Sequence, residues 1–231
     1  MLVIVANSQD QVSAWLAHRW QSFGAVLLTA TDLSASGWRH HLPPSSRSRA
    51  MLAGQSVVPG EITGVLTRIP CVYEQELGHI VPDDRPYVAS EMTAFLLSWL
   101  SSLTCPVLNA PTPGCLAGPN LKDEQWVRLA ASLGIPVSPV RRSTSRNSQE
   151  TAQQSVCEMI VVGDQCFGTA APELCTQARS LAAAAGADLL AVQFAGVEPG
   201  SPLVSANVWP NLASPEIADA VLNRLSRRSA C

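Results

Sequence analysis

The sequence lacks any long apolar run, although apolar residues are plentiful. They make up 47% of the 231 residues, and charged residues only 14%, yet no stretch approaches the ~20 consecutive apolar residues that span a bilayer. No basic segment precedes the apolar start MLVIVANSQD, whereas a secretory signal peptide carries one. We therefore expect a soluble, cytoplasmic protein with no membrane partner, built as one large domain or two modest ones.

Strong positive charge and metal-type cysteine spacing are also absent. The net charge is −3 and the arginines are scattered, so no nucleic-acid partner is expected. The seven cysteines are widely spaced, without a C-x-x-C motif, which argues against a zinc site or a disulfide framework. Thiol chemistry through Cys157, Cys166 or Cys175 is a separate hypothesis that rests only on their spacing. His40 and His41 lie in a polar stretch that predicts a surface loop rather than a metal site.

Short apolar runs alternate with helical periodicity, which predicts an α/β fold. In the first half, strands are predicted at MLVIVA, at AVLLTATDL ending at Asp32, at GEITGVLTRIP ending in Arg68, and at CPVLNAP. A long helix is predicted from Pro86, and a second helix, KDEQWVRLAASLG, is ended by Gly134.

In the second half, CEMIVVGDQCFG predicts a hairpin that turns at Gly163 and Asp164. LLAVQFAG and LVSANVWPNL predict two strands before a closing amphipathic helix. Residues 141–155 are rich in Ser, Thr, Gln and Asn without apolar periodicity, which predicts a flexible loop.

The order of short motifs carries a family resemblance. T-R-I-P, the Asp84, Tyr87 and Glu91 spacing, V-L-N-A-P, Lys122 and LAASLGIPVSP follow one another. This set resembles the pre-ATP-grasp domain and its exit into the ATP-grasp domain, and the final two strands and helix resemble the end of a RimK-like, ribosomal-protein-modifying ATP-grasp ligase. The resemblance implies a pre-ATP-grasp-like α/β domain at 1–108, followed at 109–231 by a reduced ATP-grasp-like α+β domain that lacks the central nucleotide-clamp subdomain.

The positions that serve catalysis in that family are changed here. Where the family has two acidic magnesium ligands this sequence has Gln193 and Ser205, and only Asn207 matches. Magnesium is usually held by one or two carboxylates together with substrate phosphates. Glu158 lies where the family has a phosphate-facing arginine, and a carboxylate there repels a triphosphate. The sequence has a single lysine, Lys122, so the family's second nucleotide lysine is missing.

Several residues are candidates for binding. The resemblance places Lys122, Asn207 and Arg141 at cofactor-binding positions, although Lys122 is equally interpretable as a solvated lysine at a helix start. Arg68, Tyr87, Glu91 and Asn109 are candidates for contacting a ligand, with Arg68 near the carboxyl end of a strand, where α/β sheets bind ligands. Alternatively, Arg68 forms a structural ion pair with Glu91 or Asp84, and Asn109 only forms a turn.

Two functions remain open from the sequence. The first is a non-catalytic, ATP-grasp-derived protein that needs no cofactor or metal and binds a partner protein, a second copy of itself or a small anionic ligand, as an accessory subunit of an intact ligase. The second is a minimal carboxylate-amine ligase that uses ATP and magnesium to form an acylphosphate. Loss of the central subdomain would uncover a sheet face, which favours association.

Overall fold

The computed structural model describes residues 1–139 and 156–226. The chain divides into two compact units. Unit 1 contains Met1–Pro119 and the segment that begins at Asn211, and unit 2 contains Asn120–Pro210. The predicted loop at 141–155 lies outside the described residues.

Unit 1 is built on a parallel sheet whose strands run in the order β2-β1-β5-β6. Every described residue of its central strand β1 is buried, because β1 pairs on both sides, with β2 and with β5. The predicted α/β class is confirmed. The strands are β1 (Leu2–Val5), β2 (Ala25–Leu28), β5 (Gly64–Thr67) and β6 (Val107–Leu108).

The long helix predicted from Pro86 is present in unit 1. Its apolar face contributes the buried side chains of Leu96, Trp99 and Leu100 to the core. The spacing of three and four residues between them puts all three on one side of the helix. The helices of unit 1 are α1 (Gln11–Arg19), α2 (Ala30–Leu33), α3 (Arg85–Ser102) and α6 (Pro215–Ser226).

The strand predicted to end at Asp32 stops earlier, at the end of β2. The Asp32 carboxylate accepts hydrogen bonds from the Thr29 backbone N–H and hydroxyl, both at 2.9 Å. This capping arrangement satisfies donors at the start of a helix, so α2 forms where alternation alone predicted strand.

The polar stretch around His40 and His41 is mostly exposed and has little regular structure, as predicted, although His40 itself is half-buried. It leads into an antiparallel hairpin of β3 (Ala50–Leu52) and β4 (Gln55–Val57). The His40 ring is 5.8 Å from Phe95, edge to face, and its Nε2 lies 2.9 Å from the Ser98 hydroxyl. His40 therefore packs against α3.

Unit 2 is built on an antiparallel sheet in the order β10-β9-β7-β8. The predicted β7–β8 hairpin forms, and Gly163 takes the left-handed conformation (φ +57°) that its turn requires. Gly134 likewise has φ +73° just beyond its helix, as predicted. The elements are α4 (Asp123–Ser132), β7 (Cys157–Val162), β8 (Gln165–Phe167), α5 (Pro172–Ala185), β9 (Leu189–Phe194) and β10 (Leu203–Asn207).

The two units differ from the predicted domains 1–108 and 109–231 in two respects. Residues 109–119 group with unit 1, where the Leu116 N–H donates to the Pro70 carbonyl at 2.9 Å. The last helix, α6, also belongs to unit 1 because it packs on β5. In the described ranges, no helix has both the length and the apolar character needed to cross a membrane.

Candidate functional site

Three neighbouring strands of unit 2 place a row of polar side chains side by side. Glu158 on β7 is opposite Gln193 on β9, which is opposite Ser205 on β10. The Ser205 hydroxyl donates to the Gln193 Oε1 at 2.8 Å, and the Gln193 Nε2 donates to the Glu158 Oε2 at 3.5 Å. The side chains of this row therefore satisfy one another across the sheet.

The row contains the positions at which the sequence resemblance predicts acidic metal ligands. Asn207 lies two residues beyond Ser205, and its Oδ1 accepts a hydrogen bond from the Trp209 N–H at 2.9 Å. Gln193, Ser205 and Asn207 offer neutral oxygens, two of them already engaged as acceptors. Mg²⁺ needs hard, preferably anionic oxygens, so this donor set does not fit the ion. In residues 1–139 and 156–226, no three His, Cys, Asp or Glu side chains are arranged to hold a metal.

Lys122, the candidate nucleotide contact, directly precedes α4. Its backbone N–H donates to the Gln125 side chain at 2.8 Å, and its side chain is exposed. The next two residues, Asp123 and Glu124, place negative charge in the first turn of the helix, where it is favourable to the helix dipole. Arg141 lies outside the described residues.

Arg68 lies where the sequence predicted it, at the carboxyl end of β5, but its ion-pair partner is different. Its Nε is 2.9 Å from Asp10 Oδ2; Glu91 and Asp84, the predicted partners, are exposed. Asp10 follows β1, which is the parallel neighbour of β5. The connections from β1 and β5 lead to opposite edges of the sheet, and such a switch point is where open α/β sheets bind ligands.

Glu76 adds a second carboxylate to this edge of the sheet. Burial raises the pKa of Glu76, and hydrogen bonds from the Ser8 backbone and the Asn7 side chain oppose the rise. The buried Oε1 of Glu76 and the buried hydroxyl of Thr67, the last residue of β5, have no hydrogen-bond partner. These two buried oxygen atoms therefore remain able to hydrogen-bond a ligand beside the Asp10–Arg68 pair.

Asn109 is a structural residue of unit 1. It is 2% exposed, and its Nδ2 donates to the Ala117 carbonyl at 3.2 Å. Gly118 is so close that an added Cβ would lie 2.5 Å from the Asn109 Cβ. Asn109 thus secures the loop that follows β6, and its role as a ligand contact stays a prediction.

A groove of about 570 Å³ lies along α3. The exposed Tyr87, 69% accessible, and the exposed Glu91 are next in sequence to the groove residues Pro86 and Ser90. Tyr87 and Glu91 are therefore available to a partner at the surface of α3. The groove is lined on one side by Cys71, Val72, Tyr73, Glu74 and Gln75, and on the other by Pro86, Ala89, Ser90, Thr93, Ala94 and Leu97, with Pro113.

Sequence reasoning missed Asp10 and Glu76. Asp10 had a detectable signal, because an aspartate directly before an amphipathic run is a typical helix N-cap. Glu76 had none, since its burial depends on the fold of the segment between β5 and α3.

Comparison with solved structures shows that the chain has the fold of ATP-grasp ligases, which confirms the predicted resemblance. No protein-family model matches the sequence, and no curated protein matches it. At 10 to 14% identity, the structural likenesses establish the fold.

Three solved structures illustrate the likeness. MdnC of Microcystis aeruginosa MRC, a macrocyclase bound with its precursor peptide MdnA, aligns over 98% of this chain and 99% of that chain, with TM-score 0.72 and 14% identity. A RiPP-associated ATP-grasp ligase of Chryseobacterium gregarium, in complex with ADP and a leader and core peptide, aligns over 97% and 96%, with TM-score 0.65 and 10% identity. A RimK domain ATP-grasp protein of Sphaerobacter thermophilus DSM 20745 aligns over 97% and 99%, with TM-score 0.56 and 14% identity.

Proposed function

We propose that this chain is a non-catalytic protein of ATP-grasp fold that binds a peptide segment of a partner protein, as an accessory subunit of an intact ligase. The observation that carries the proposal is the hydrogen bond between Gln193 and Ser205, at positions where the family holds magnesium with acids. With Glu158 as the single carboxylate of the row, there is little to hold Mg²⁺, and without the metal the charge of a transferring phosphoryl group is not neutralised.

Two further observations support a peptide as the partner. The structures of MdnC and of the Chryseobacterium ligase, which share this fold, contain precursor peptides. The groove along α3 is lined by apolar side chains together with the exposed Tyr73, and the exposed Tyr87 is next in sequence to the groove residue Pro86. Apolar pockets with a few polar groups are typical of sites that bind short ligands.

The proposal is tested by thermal unfolding of the full chain with ATP, ADP and a non-hydrolysable ATP analogue, each with and without Mg²⁺. A ligand that binds only the folded state at ~100 times its Kd adds roughly 2.7 kcal/mol to the free energy of unfolding. We expect no shift of Tm with any nucleotide, and no ADP release with pools of amino acids and peptides. The same protein, screened against a displayed random-peptide library, is expected to select peptides.

Matched variants make both arms decisive. The double variant Gln193→Asp, Ser205→Glu adds two carboxylates beside Glu158 and is expected to gain an Mg²⁺-dependent rise in Tm that the wild type lacks.

Ala94→Glu, in the groove, should abolish peptide selection, whereas Ala184→Glu, at an exposed position on α5, should not. A Mg²⁺-dependent ATP shift in the wild type, removed by Lys122→Ala, would instead show nucleotide binding, and ADP release with amino acids or peptides would then establish the minimal ligase. Selection that survives Ala94→Glu would exclude the groove, and sedimentation separates peptide binding from self-association.

A further inference from the structure

The groove along α3 has walls that are tied to each other. The Val72 N–H donates to the Thr93 hydroxyl at 3.0 Å, and that hydroxyl donates to the Ala89 carbonyl at 2.8 Å. The side chains of Val72 and Ala89 are buried in the core of unit 1, whereas Ala94, also in the groove, is exposed. The groove therefore has a fixed apolar lining that solvent reaches.

Negative charge is concentrated in the segment that forms this groove, residues 71–97. The segment has five carboxylate side chains, one arginine and one histidine, an excess that accounts for all of the chain's net charge of −3. A negative surface of this kind attracts cationic partners. The carboxylates that are exposed are called the acidic rim below, and they are Glu74, Asp83, Asp84 and Glu91.

The acidic rim adjoins the groove. Glu74 is one of the residues that line it. Glu91 follows the lining residue Ser90 and precedes the lining residue Ala94 by three positions, and residues three apart are neighbours on a helix surface. The other two carboxylates lie just before the lining residue Pro86. A ligand in the groove therefore has carboxylates at both walls.

The one arginine of the segment does not neutralise the acidic rim. The Arg85 Nε donates to the Ile80 carbonyl at 2.9 Å, and its Nη2 donates to the Gly78 carbonyl at 3.3 Å. Among residues 1–139 and 156–226, no salt bridge includes a residue of the acidic rim. A cation that a partner supplies therefore displaces none of this chain's own.

Two exposed tyrosines favour arginine as that cation. Tyr73 lines the groove, and Tyr87 is next to the lining residue Pro86. The face of a tyrosine ring attracts a cation. A guanidinium group is planar, so it stacks on such a ring and also pairs with a carboxylate through two parallel hydrogen bonds, whereas the ammonium group of lysine acts as a point charge.

We propose that the groove along α3 binds a basic segment of the partner protein in which arginines flank an apolar side chain. This inference rests on the proposed function and names the chemistry of the peptide. The apolar side chain packs against Val72 and Ala89, and the arginines pair with Glu74 at one wall and Glu91 at the other. Acidic segments are excluded because like charges across an interface repel each other.

The test is isothermal titration of the full chain with three capped synthetic peptides. All three contain the same alternating leucines, and their other positions are arginine, lysine or glutamate. We expect the arginine peptide to bind more tightly than the lysine peptide, and at least about tenfold more tightly than the glutamate peptide. Its affinity should fall between ~0.01 and ~0.1 M salt, as the Debye length shortens from ~30 to ~10 Å.

Matched variants locate the charges and the ring. Glu74→Gln and Glu91→Gln should each weaken the arginine peptide about two- to fivefold, as expected for an exposed ion pair. Glu198→Gln, at an exposed position in unit 2, should leave its affinity unchanged. Tyr73→Leu should weaken binding, and Tyr73→Phe, which keeps the ring, should not.

Four outcomes would overturn the proposal. Equal affinity for the arginine and glutamate peptides is one, and equal effects of Glu74→Gln and Glu198→Gln are another. If a random-peptide library yields peptides that lack arginine and are lost in Ala94→Glu, this inference fails although the proposed function stands. Self-association that Ala94→Glu abolishes in sedimentation would assign the groove to a second copy of the chain. If no peptide of any composition binds, this inference and the proposed function fail together.

Discussion

The Asp10 carboxylate both caps helix α1 and forms an ion pair with Arg68. Its oxygens accept from the backbone N–H groups of Val12 and Ser13 at 3.0 and 3.2 Å, capping α1, and pair with Arg68 at 2.9 Å. The Arg68 side chain is only 12% exposed, so solvent screens the pair less than a surface pair. Burial acts to raise the pKa of Asp10, but hydrogen bonds from Arg68 and Ser13 outweigh it and leave that pKa lowered.

Two substitutions of Asp10 distinguish the contribution of its helix cap from that of its negative charge. Asp10→Ala removes both and should lower the free energy of unfolding by about 1–2 kcal/mol, the upper part of the range for a lost N-cap. Asp10→Asn keeps an oxygen that caps helices equally well and should cost less near neutral pH. Urea unfolding of the three proteins measures both differences.

The pH dependence of the free energy of unfolding tests whether the charge of Asp10 contributes to stability in these proteins. A carboxyl whose pKa is depressed by folding contributes stability above its unfolded pKa, about 3.9 for Asp, and loses it as pH falls through the folded pKa. The wild type should therefore be more stable than Asp10→Asn above pH ~4, and the gap should close as the pH falls further. A gap that stays constant down to pH 2 would show that the charge of Asp10 is not what stabilises the fold.

At the scale of elements, α6 approaches β5 closely because Gly64 has no side chain. A Cβ at Gly64 would lie 2.9 Å from the carbonyl oxygen of Leu225 and 3.2 Å from the Leu2 Cδ2. A backbone carbonyl cannot turn aside as the end of a flexible side chain can. The packing of α6 on the sheet therefore depends on this glycine.

Gly64→Ala should destabilise unit 1 by about 1–3 kcal/mol, the usual cost of overpacking a filled core. Gly60→Ala is the matched control, since a Cβ there meets nothing within 4 Å. Chemical denaturation followed by tryptophan fluorescence gives the two midpoints. Equal midpoints would mean that α6 shifts away without cost.

The elements also indicate what local sequence can predict. β1, α3 and the β7–β8 hairpin follow from apolar runs, helical spacing and a glycine turn, all of which act over a few residues. The end of β2 was placed too late because the Asp32 side chain, not the apolar pattern, decides where the helix begins. The β3–β4 hairpin was missed because its strands of three residues are too short to show a periodic pattern; Ala50, Leu52 and Val57 are buried by packing in the core of unit 1.

At the scale of the whole molecule, unit 1 is discontinuous in sequence. Its last helix, α6, follows all of unit 2, and it buries the side chains of Ile217, Val221, Leu222 and Leu225. Full burial of such aliphatic side chains is worth ~1.5–3 kcal/mol each, so the four together contribute about 6–12 kcal/mol. A whole domain has only about 5–15 kcal/mol of net stability.

A chain that stops at Pro210 should therefore leave unit 1 unfolded or nearly so. Limited proteolysis is expected to cleave residues 1–119 rapidly in that protein. A chain that stops at Ser226 is the control and should resist protease in the same region. Equal resistance of the two would mean that the sheet of unit 1 is stable without α6.

The candidate site was predictable where it depends on strand order and unpredictable where it depends on pairing between distant loops. Gln193 and Ser205 were singled out because their strand segments resemble the family's metal-ligand motifs, and the register places them opposite each other. The predicted ion-pair partner of Arg68 was wrong, because the observed partner, Asp10, is 58 positions away in the chain. The two meet only because β1 and β5 are neighbours, which no local pattern indicates.

The late position of α6 also matters while the protein is being synthesised. The strands β1 and β5 leave the ribosome early, but the helix that covers Gly64 and Leu2 is completed only at Ser226. At roughly 5–20 residues per second, translating residues 120–226 takes on the order of 5–20 s. During that interval the apolar surface around Gly64 and Leu2 lacks the helix that later covers it, and transiently exposed apolar surface makes a nascent chain prone to aggregation.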